Sequence, residues 1–176
     1  MNGFWLTLAA GTVFLLYATW VVSIREKRRH GYPRFFAFES LFILVLLNRD
    51  VWFRNPLSPR QILSWIILLA SIAFAAAGFF TLRKHGLSRG NFENTTRIVE
   101  RGIYRFIRHP MYASLLFLGL GAMIKDAGPV TAVLFLVDIV ATVITALMDE
   151  GEMKAKFGAE YAAYMAKTKR FVPFVL

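Results

Sequence analysis

Two runs of the chain carry no charged side chain at all. They constrain the fold more than anything else in the sequence. Gly3–Ile24 holds 22 residues without a charge, and Gln61–Leu82 is a second such run. At ~1.5 Å rise per residue, a helix of the first length reaches about 33 Å, enough to cross a hydrocarbon core of roughly 30 Å. No Lys or Arg precedes Gly3, so a basic signal-peptide head is missing and the run is expected to be a first span. Further apolar stretches predict spans at 33–52, 110–125 and 129–148. The second of the five is the weakest, with Glu39 inside it and Arg49 and Asp50 near its end. The expectation is an all-α protein in one integral membrane domain: a polytopic helix bundle of about five transmembrane helices plus a C-terminal amphipathic helix.

Composition agrees. Of 176 residues, 57% are apolar and only 18% charged, against ~45–50% and about 25% in ordinary soluble domains. That leaves too little polar surface for a soluble enzyme and too much apolar mass for a disordered chain. Cysteine is absent, which removes disulfides, thiolate nucleophiles and Cys-based metal sites. The three histidines, His30, His85 and His109, are too scattered for a histidine-box di-iron site. A net charge of +10 suits anionic lipid headgroups between spans, so no nucleic-acid partner is expected.

The distribution of charge orients the chain. With five spans, 17 Lys and Arg residues fall on one side and 4 on the other. By the positive-inside bias the N-terminus lies outside and the C-terminus in the cytoplasm. Arg25–Arg34, the polar stretch Arg83–His109 and the C-terminal segment then share the cytoplasmic face. Ala70, Ala73 and Ala77 form a small-residue stripe on the third span, expected to pack against a neighbour. Within Asp149–Lys169, Met153, Phe157, Tyr161, Tyr164 and Met165 recur at helical spacing, which predicts an amphipathic helix at the membrane surface. Pro173 ends it.

Chemistry concentrates in Gly102–Ala113, GIYRFIRHPMYA. Arg105 and Arg108 share a face if this stretch is helical. His109 precedes Pro110 at a break in the backbone. The cluster reads either as a ligand-orienting group or as a basic anchor with interfacial tyrosines. Asp149 and Glu150 follow at the cytoplasmic end of the last span. They either offset nearby lysines or receive a cationic or polyhydroxyl ligand. Asp138, deep in the last span, sits where a charge is expensive; Glu39 lies nearer the basic loop and is expected to pair with it.

The ordered set Gly102-Ile103-Tyr104-Arg105, Arg108-His109-Pro110-Met111-Tyr112, Asp149-Glu150, Phe157-Gly158-Ala159-Glu160-Tyr161-Ala162-Ala163-Tyr164 and Arg170-Phe171-Val172-Pro173 resembles the isoprenylcysteine carboxyl methyltransferase family and its phospholipid methyltransferase relatives. The resemblance covers about 95–173. It implies a membrane enzyme using S-adenosyl-L-methionine on a helical fold, consistent with the lack of a GxGxxG motif. It implies a cofactor region at about 95–112 and 149–173 on the cytoplasmic face. His109, Pro110 and Tyr112 would meet the methionine end. Ile98, Val99, Gly102 and Tyr104 would line the adenine side, and Glu150 would hold the ribose or amino group. Arg108, Lys167 and Arg170 are the candidate catalytic cations, the last two placed to pair with a substrate carboxylate. The implied acceptor is lipophilic, most simply the carboxylate of an isoprenylcysteine-like molecule, reached among membrane lipids.

Two departures stand out. The first acid of the pair is Asp149 rather than Glu, which favours Glu150, and Gly86–Arg97 is compact. Two other readings share this scaffold: an NADPH-dependent sterol-type membrane reductase, and a non-catalytic membrane subunit. The reductases favour R-H-P-N-Y and a tryptophan-rich helix; here Met111 replaces the Asn and Ala113–Ile124 has no tryptophan. A subunit that had lost catalysis would not need His109, Tyr112 and Glu150.

Overall fold

The computed structural model describes residues 2–25, 28–86 and 96–172. Among them the regular elements are helices, apart from one isolated β-bridge. α1 (Asn2–Thr19) runs on through a π-helical turn, Trp20–Ile24. α2 spans Gly31–Leu47 and is followed by a 3₁₀ turn at Arg49–Val51. α3 spans Pro59–His85, a second 3₁₀ turn covers Gly102–Arg105, and α4 spans Pro110–Lys125. α5 (Pro129–Phe157) and α6 (Ala159–Lys167) complete the chain. Proline stands in the first turn of α3, α4 and α5, where its missing N–H has no intrahelical partner to lose.

Among the described residues three helices are long and apolar enough to cross a membrane: Gly3–Ile24, Pro59–His85 and Pro129–Phe157. α2 and α4 are shorter, at 17 and 16 residues. Many large apolar side chains point outward, among them Trp5, Phe14, Ile66, Leu69, Ile72, Val133, Leu136 and Val140. That outer band is a surface for hydrocarbon rather than water.

α3 packs along α4 and α2 along α5, with α4 also touching α5. The small-residue stripe expected on α3 is not the packing face. Ala73 and Ala77 are exposed and Ala70 half-buried. The contact is made by Ser64, Leu68, Ser71 and Gly78. Ser64 Oγ donates to the Gly121 carbonyl and Ser71 Oγ to the Ser114 carbonyl, both at 2.7 Å. A Cβ on Gly121 would lie 2.8 Å from Leu68, and one on Gly78 2.9 Å from Met111. Backbones this close, bridged by hydroxyls, hold helices together where hydrophobicity discriminates nothing.

The end of the bundle away from Arg108 is closed by polar side chains. Asn48 Nδ2 donates to the Ala122 carbonyl at 2.7 Å. Lys125 is fully buried; its Nζ lies 3.7 Å from the Trp65 ring centroid and 4.9 Å from that of Trp52, and donates to Gln61 Oε1 at 3.0 Å. Cation–π attraction and this hydrogen bond replace the lost hydration. Among the described residues Glu39 does not pair with the basic loop as expected: its Oε1 accepts from Thr12 Oγ1 at 2.6 Å, tying α1 to α2. Asp138 faces the bundle interior, accepting from Thr142 Oγ1 at 3.2 Å, with its other oxygen against Gly119.

The C-terminal segment also differs from expectation. Asp149–Lys169 is not one surface helix. Its first half prolongs α5 to Phe157, and Gly158, at φ +56°, turns the chain into α6. Tyr161 and Tyr164 are buried against the protein rather than laid on a membrane. Tyr164 Oη donates to the Tyr104 carbonyl at 2.8 Å. Pro173 and the centre of Gly86–Arg97 lie outside the described residues.

Candidate active site

The polar cluster forms where α4 begins, because the chain there cannot remain helical. Gly102 adopts φ +56°, and a Cβ on it would lie 2.8 Å from Thr81 Oγ1 of α3. Only glycine meets both demands. The 3₁₀ turn ends at Arg105, which stays exposed over the Phe106 ring. Arg105 and Arg108 therefore do not share a helical face. Ile107 is fully buried and forms a parallel bridge with Lys169. Around it Arg108 N donates to the Lys169 carbonyl (2.8 Å), Lys169 N to that of Phe106 (3.0 Å) and His109 N to that of Arg170 (3.0 Å). Main-chain bonds thus bind the C-terminal segment beside the Arg108-His109-Pro110 stretch.

Glu150 is the hub of the site and only 4% exposed. Its Oε1 accepts from Arg108 Nε and Arg170 Nε, each at 3.0 Å, and lies 3.3 Å from His109 Nε2. Its Oε2 accepts from Arg170 Nη2 at 2.9 Å. Arg108 Nη1 also donates to the Met165 carbonyl at 3.2 Å and to the Thr168 carbonyl. Both oxygens of Glu150 are committed to cationic side chains. It organises the site rather than facing into it.

Beside this hub lies a cleft lined by Ile98, Val99, Tyr104, Arg108, His109 and Tyr112, six of the candidates from the sequence. It encloses about 800 Å³ of empty space, its open mouth included, within the range of small-molecule sites. The His109 ring stacks on Tyr112, with centroids 5.3 Å apart. Its Nδ1 lies 3.7 Å from Asp149 Oδ2. Asp149, not Glu150, is the member of the acidic pair that lines the cleft. Gly102 serves the turn, Pro110 starts α4 behind the cleft, and Lys167 is exposed on α6 away from it.

Sequence reasoning missed several walls. Tyr161, Met153 and Phe157 come from α5 and α6, and His30 from the connection between α1 and α2. The tyrosine was visible in the F-G-x-x-Y-x-x-Y pattern; the histidine carried no local signal. Burial, reinforced by the Asp149 and Glu150 charges, pushes the Tyr161 phenol above the usual tyrosine range. Burial does the same for Tyr164. Both stay neutral donors at physiological pH.

A second cavity abuts the hub from the other side. Ala113, Leu116, Phe117 and Leu120 of α4 face Phe135, Ile139 and Val143 of α5, and Arg170, Phe171 and Val172 close one end. Arg170 is its single ionisable lining residue among the described residues. Arg170 thus reaches Glu150 with its guanidinium while bordering the apolar groove, and that bond raises its already high pKa.

Fold and site together define a helical integral membrane protein with a polar cleft and an apolar groove meeting at a buried ion cluster. The chain belongs to the phospholipid methyltransferase family, whose model matches residues 59–160. It is 31% identical over 130 residues to protein-S-isoprenylcysteine O-methyltransferase A of Arabidopsis thaliana, and 28% identical over the same length to the B protein of that plant. Each match covers 73% of this chain and 64% of the relative, so the chain spans under two thirds of the length of these curated relatives. A probable protein-S-isoprenylcysteine O-methyltransferase of Oryza sativa subsp. indica is 26% identical over 88 residues, 49% of this chain and 46% of that protein. The family match takes in α3, α4, α5 and Glu150 but neither α1, α2 nor Arg170.

Proposed function

We propose that this protein is an S-adenosylmethionine-dependent membrane methyltransferase acting on the carboxylate of an isoprenylcysteine-like lipid. One observation carries the reading: a polar cleft and an apolar groove adjoin the same buried cluster, which shares His109 with the first and Arg170 with the second.

The cleft has the chemistry the cofactor needs. Ile98, Val99, Tyr104 and Tyr112 offer flat and apolar walls for adenine. Asp149 is a carboxylate for the amino group or ribose, in place of Glu150. Arg97 and Arg108 are cations at the rim and floor. When bound, the cofactor supplies a methyl group made electrophilic by its sulfonium.

The protein's own residues then align and exclude. Arg170 at the end of the groove orients a carboxylate by charge and fork geometry. Phe171 and Val172 keep water from the acceptor, and the apolar walls of α4 and α5 hold its isoprenoid tail. A carboxylate arrives ionised, so no proton has to move. An amine acceptor would need a base. Glu150 has both oxygens engaged, and among the described residues no acid lines the groove, which favours the carboxylate over a phospholipid amine. Arg108 is a positioning residue here, because it holds Glu150 and the Thr168 turn. Five spans with the N-terminus outside, as the charge bias implies, put both cavities on the cytoplasmic face.

The test is calorimetry with S-adenosylhomocysteine on detergent-purified protein, followed by methyl transfer to farnesylated N-acetylcysteine and to its carboxamide. Micromolar binding with methylation of the acid alone is expected. Binding with methylation of phosphatidylethanolamine vesicles instead would overturn the acceptor, and binding of NADPH alone would overturn the reaction.

A further inference from the structure

His30 lies outside the family match, yet it is a wall of the cleft and only 1% exposed. Its Nδ1 is 2.9 Å from Glu152 Oε2 on α5, across a separation of 122 residues. The segment that carries it is held firmly. Arg28 N donates to the Ser23 carbonyl at 3.0 Å, and Tyr32 N to that of Arg29 at 3.3 Å. Arg34 donates to Ser23 Oγ. Gly31 presses on the end of α1 so closely that a Cβ there would lie 2.4 Å from Ser23 Cβ. Glu152 stands three residues beyond Asp149, so the two acids share a face of α5.

We propose that His30 is a ligand-contacting residue of the cleft, oriented by Glu152, and that its Nε2 accepts a hydrogen bond from a hydroxyl group of the bound nucleoside cofactor. The inference rests on the methyltransferase reading for the identity of that cofactor. A carboxylate that accepts from Nδ1–H fixes the ring's tautomer and direction, leaving Nε2 as a hydrogen-bond acceptor. A surface pair would need no such burial, and a purely structural pair would not need to border a cavity. The N-terminal two helices would then contribute to ligand recognition instead of serving only as anchors.

Three substitutions separate the roles of the two nitrogens. Asn places an amide nitrogen near the position of Nδ1 and keeps the Glu152 contact. Gln reaches the position of Nε2. Ala keeps neither. In calorimetry with S-adenosylhomocysteine, His30→Ala and His30→Asn are expected to bind about tenfold more weakly than wild type, the worth of one hydrogen bond. His30→Gln is expected to recover to within about threefold. Recovery by Asn but not Gln would overturn the proposal and leave the histidine a structural tie. Unchanged affinity in all three, with wild type binding normally, would overturn it while the methyltransferase reading stands. No binding by folded wild type would remove both. The ligand atoms of His30, Asp149 and Glu152 lie within 4.8 Å of one another. A stoichiometric divalent metal in purified wild type, lost in His30→Ala, would therefore also overturn the proposal and assign the group to an ion.

Discussion

Replacing Glu150 by Gln keeps the shape of the hub and removes its charge. The amide retains one acceptor oxygen, but its NH₂ group now meets Arg170 Nη2, donor against donor, where Oε2 had accepted at 2.9 Å. Arg108 suffers most. Its side chain is 8% exposed, so its charge stays buried without a counter-ion. Arg170, at 31%, can turn to water and contributes less. Breaking one partner out of a buried pair costs about 3–5 kcal/mol. The lower end applies here, because Arg108 keeps its bonds to the Met165 and Thr168 carbonyls. At roughly 2–4 °C per kcal/mol for a chain of this size, the melting temperature should fall by roughly 6–12 °C. Thermal unfolding in detergent, followed by tryptophan fluorescence, measures it. Arg170→Gln should cost less, and the double variant no more than Glu150→Gln alone, since both break one network. A shift under about 2 °C for Glu150→Gln, or additive single effects, would refute the buried hub.

Lys125→Met removes two cation–π contacts and leaves Gln61 Oε1 without its donor; a loss of about 1–3 kcal/mol is expected, with ligand affinity unchanged, and an unaltered melting temperature would contradict it. Gly158 has open space around it but φ +56°, whereas Gly151 has open space inside α5. Gly158→Ala should therefore destabilise by about 1–2 kcal/mol and Gly151→Ala stabilise by about 0.5–1 kcal/mol, and shifts of the same sign in thermal unfolding would refute the backbone argument. Gly31→Ala should weaken S-adenosylhomocysteine binding without any ligand contact of its own, because a methyl group there displaces the His30 turn from Ser23; equal affinity by calorimetry would show the turn is soft.

Helix positions were plain in the sequence because charge-free runs and proline starts are local signals. Which face of a helix packs was not. Ala73 and Ala77 looked like an interface, yet Ser64, Ser71 and Gly78 make it. In lipid an alanine gains nothing by being inside, and a serine hydroxyl that finds a carbonyl does. The acidic pair was legible, but which member lines the cleft was not: Asp149 does, while Glu150 turns to Arg108 and Arg170. Consecutive helical residues point about 100° apart, so one of the two faces the cleft and the other the protein, and spacing alone does not say which. Arg108, His109 and Tyr112 were recognisable from one short stretch that the break before Pro110 holds in place. His30 was not, since its partner lies 122 residues away and nothing near it signals the contact.

The parallel bridge between Ile107 and Lys169 has a consequence for biosynthesis. α1 to α5 can pack while the residues after α6 are still being made, because chains fold from the N-terminal side as they are synthesised. The Arg108 and His109 N–H groups wait for the Lys169 and Arg170 carbonyls, which accept from them. Glu150 likewise waits for the Arg170 guanidinium. A nascent chain therefore packs its helices before the polar cluster around Glu150 is complete, and the cluster closes only once Arg170 has been made.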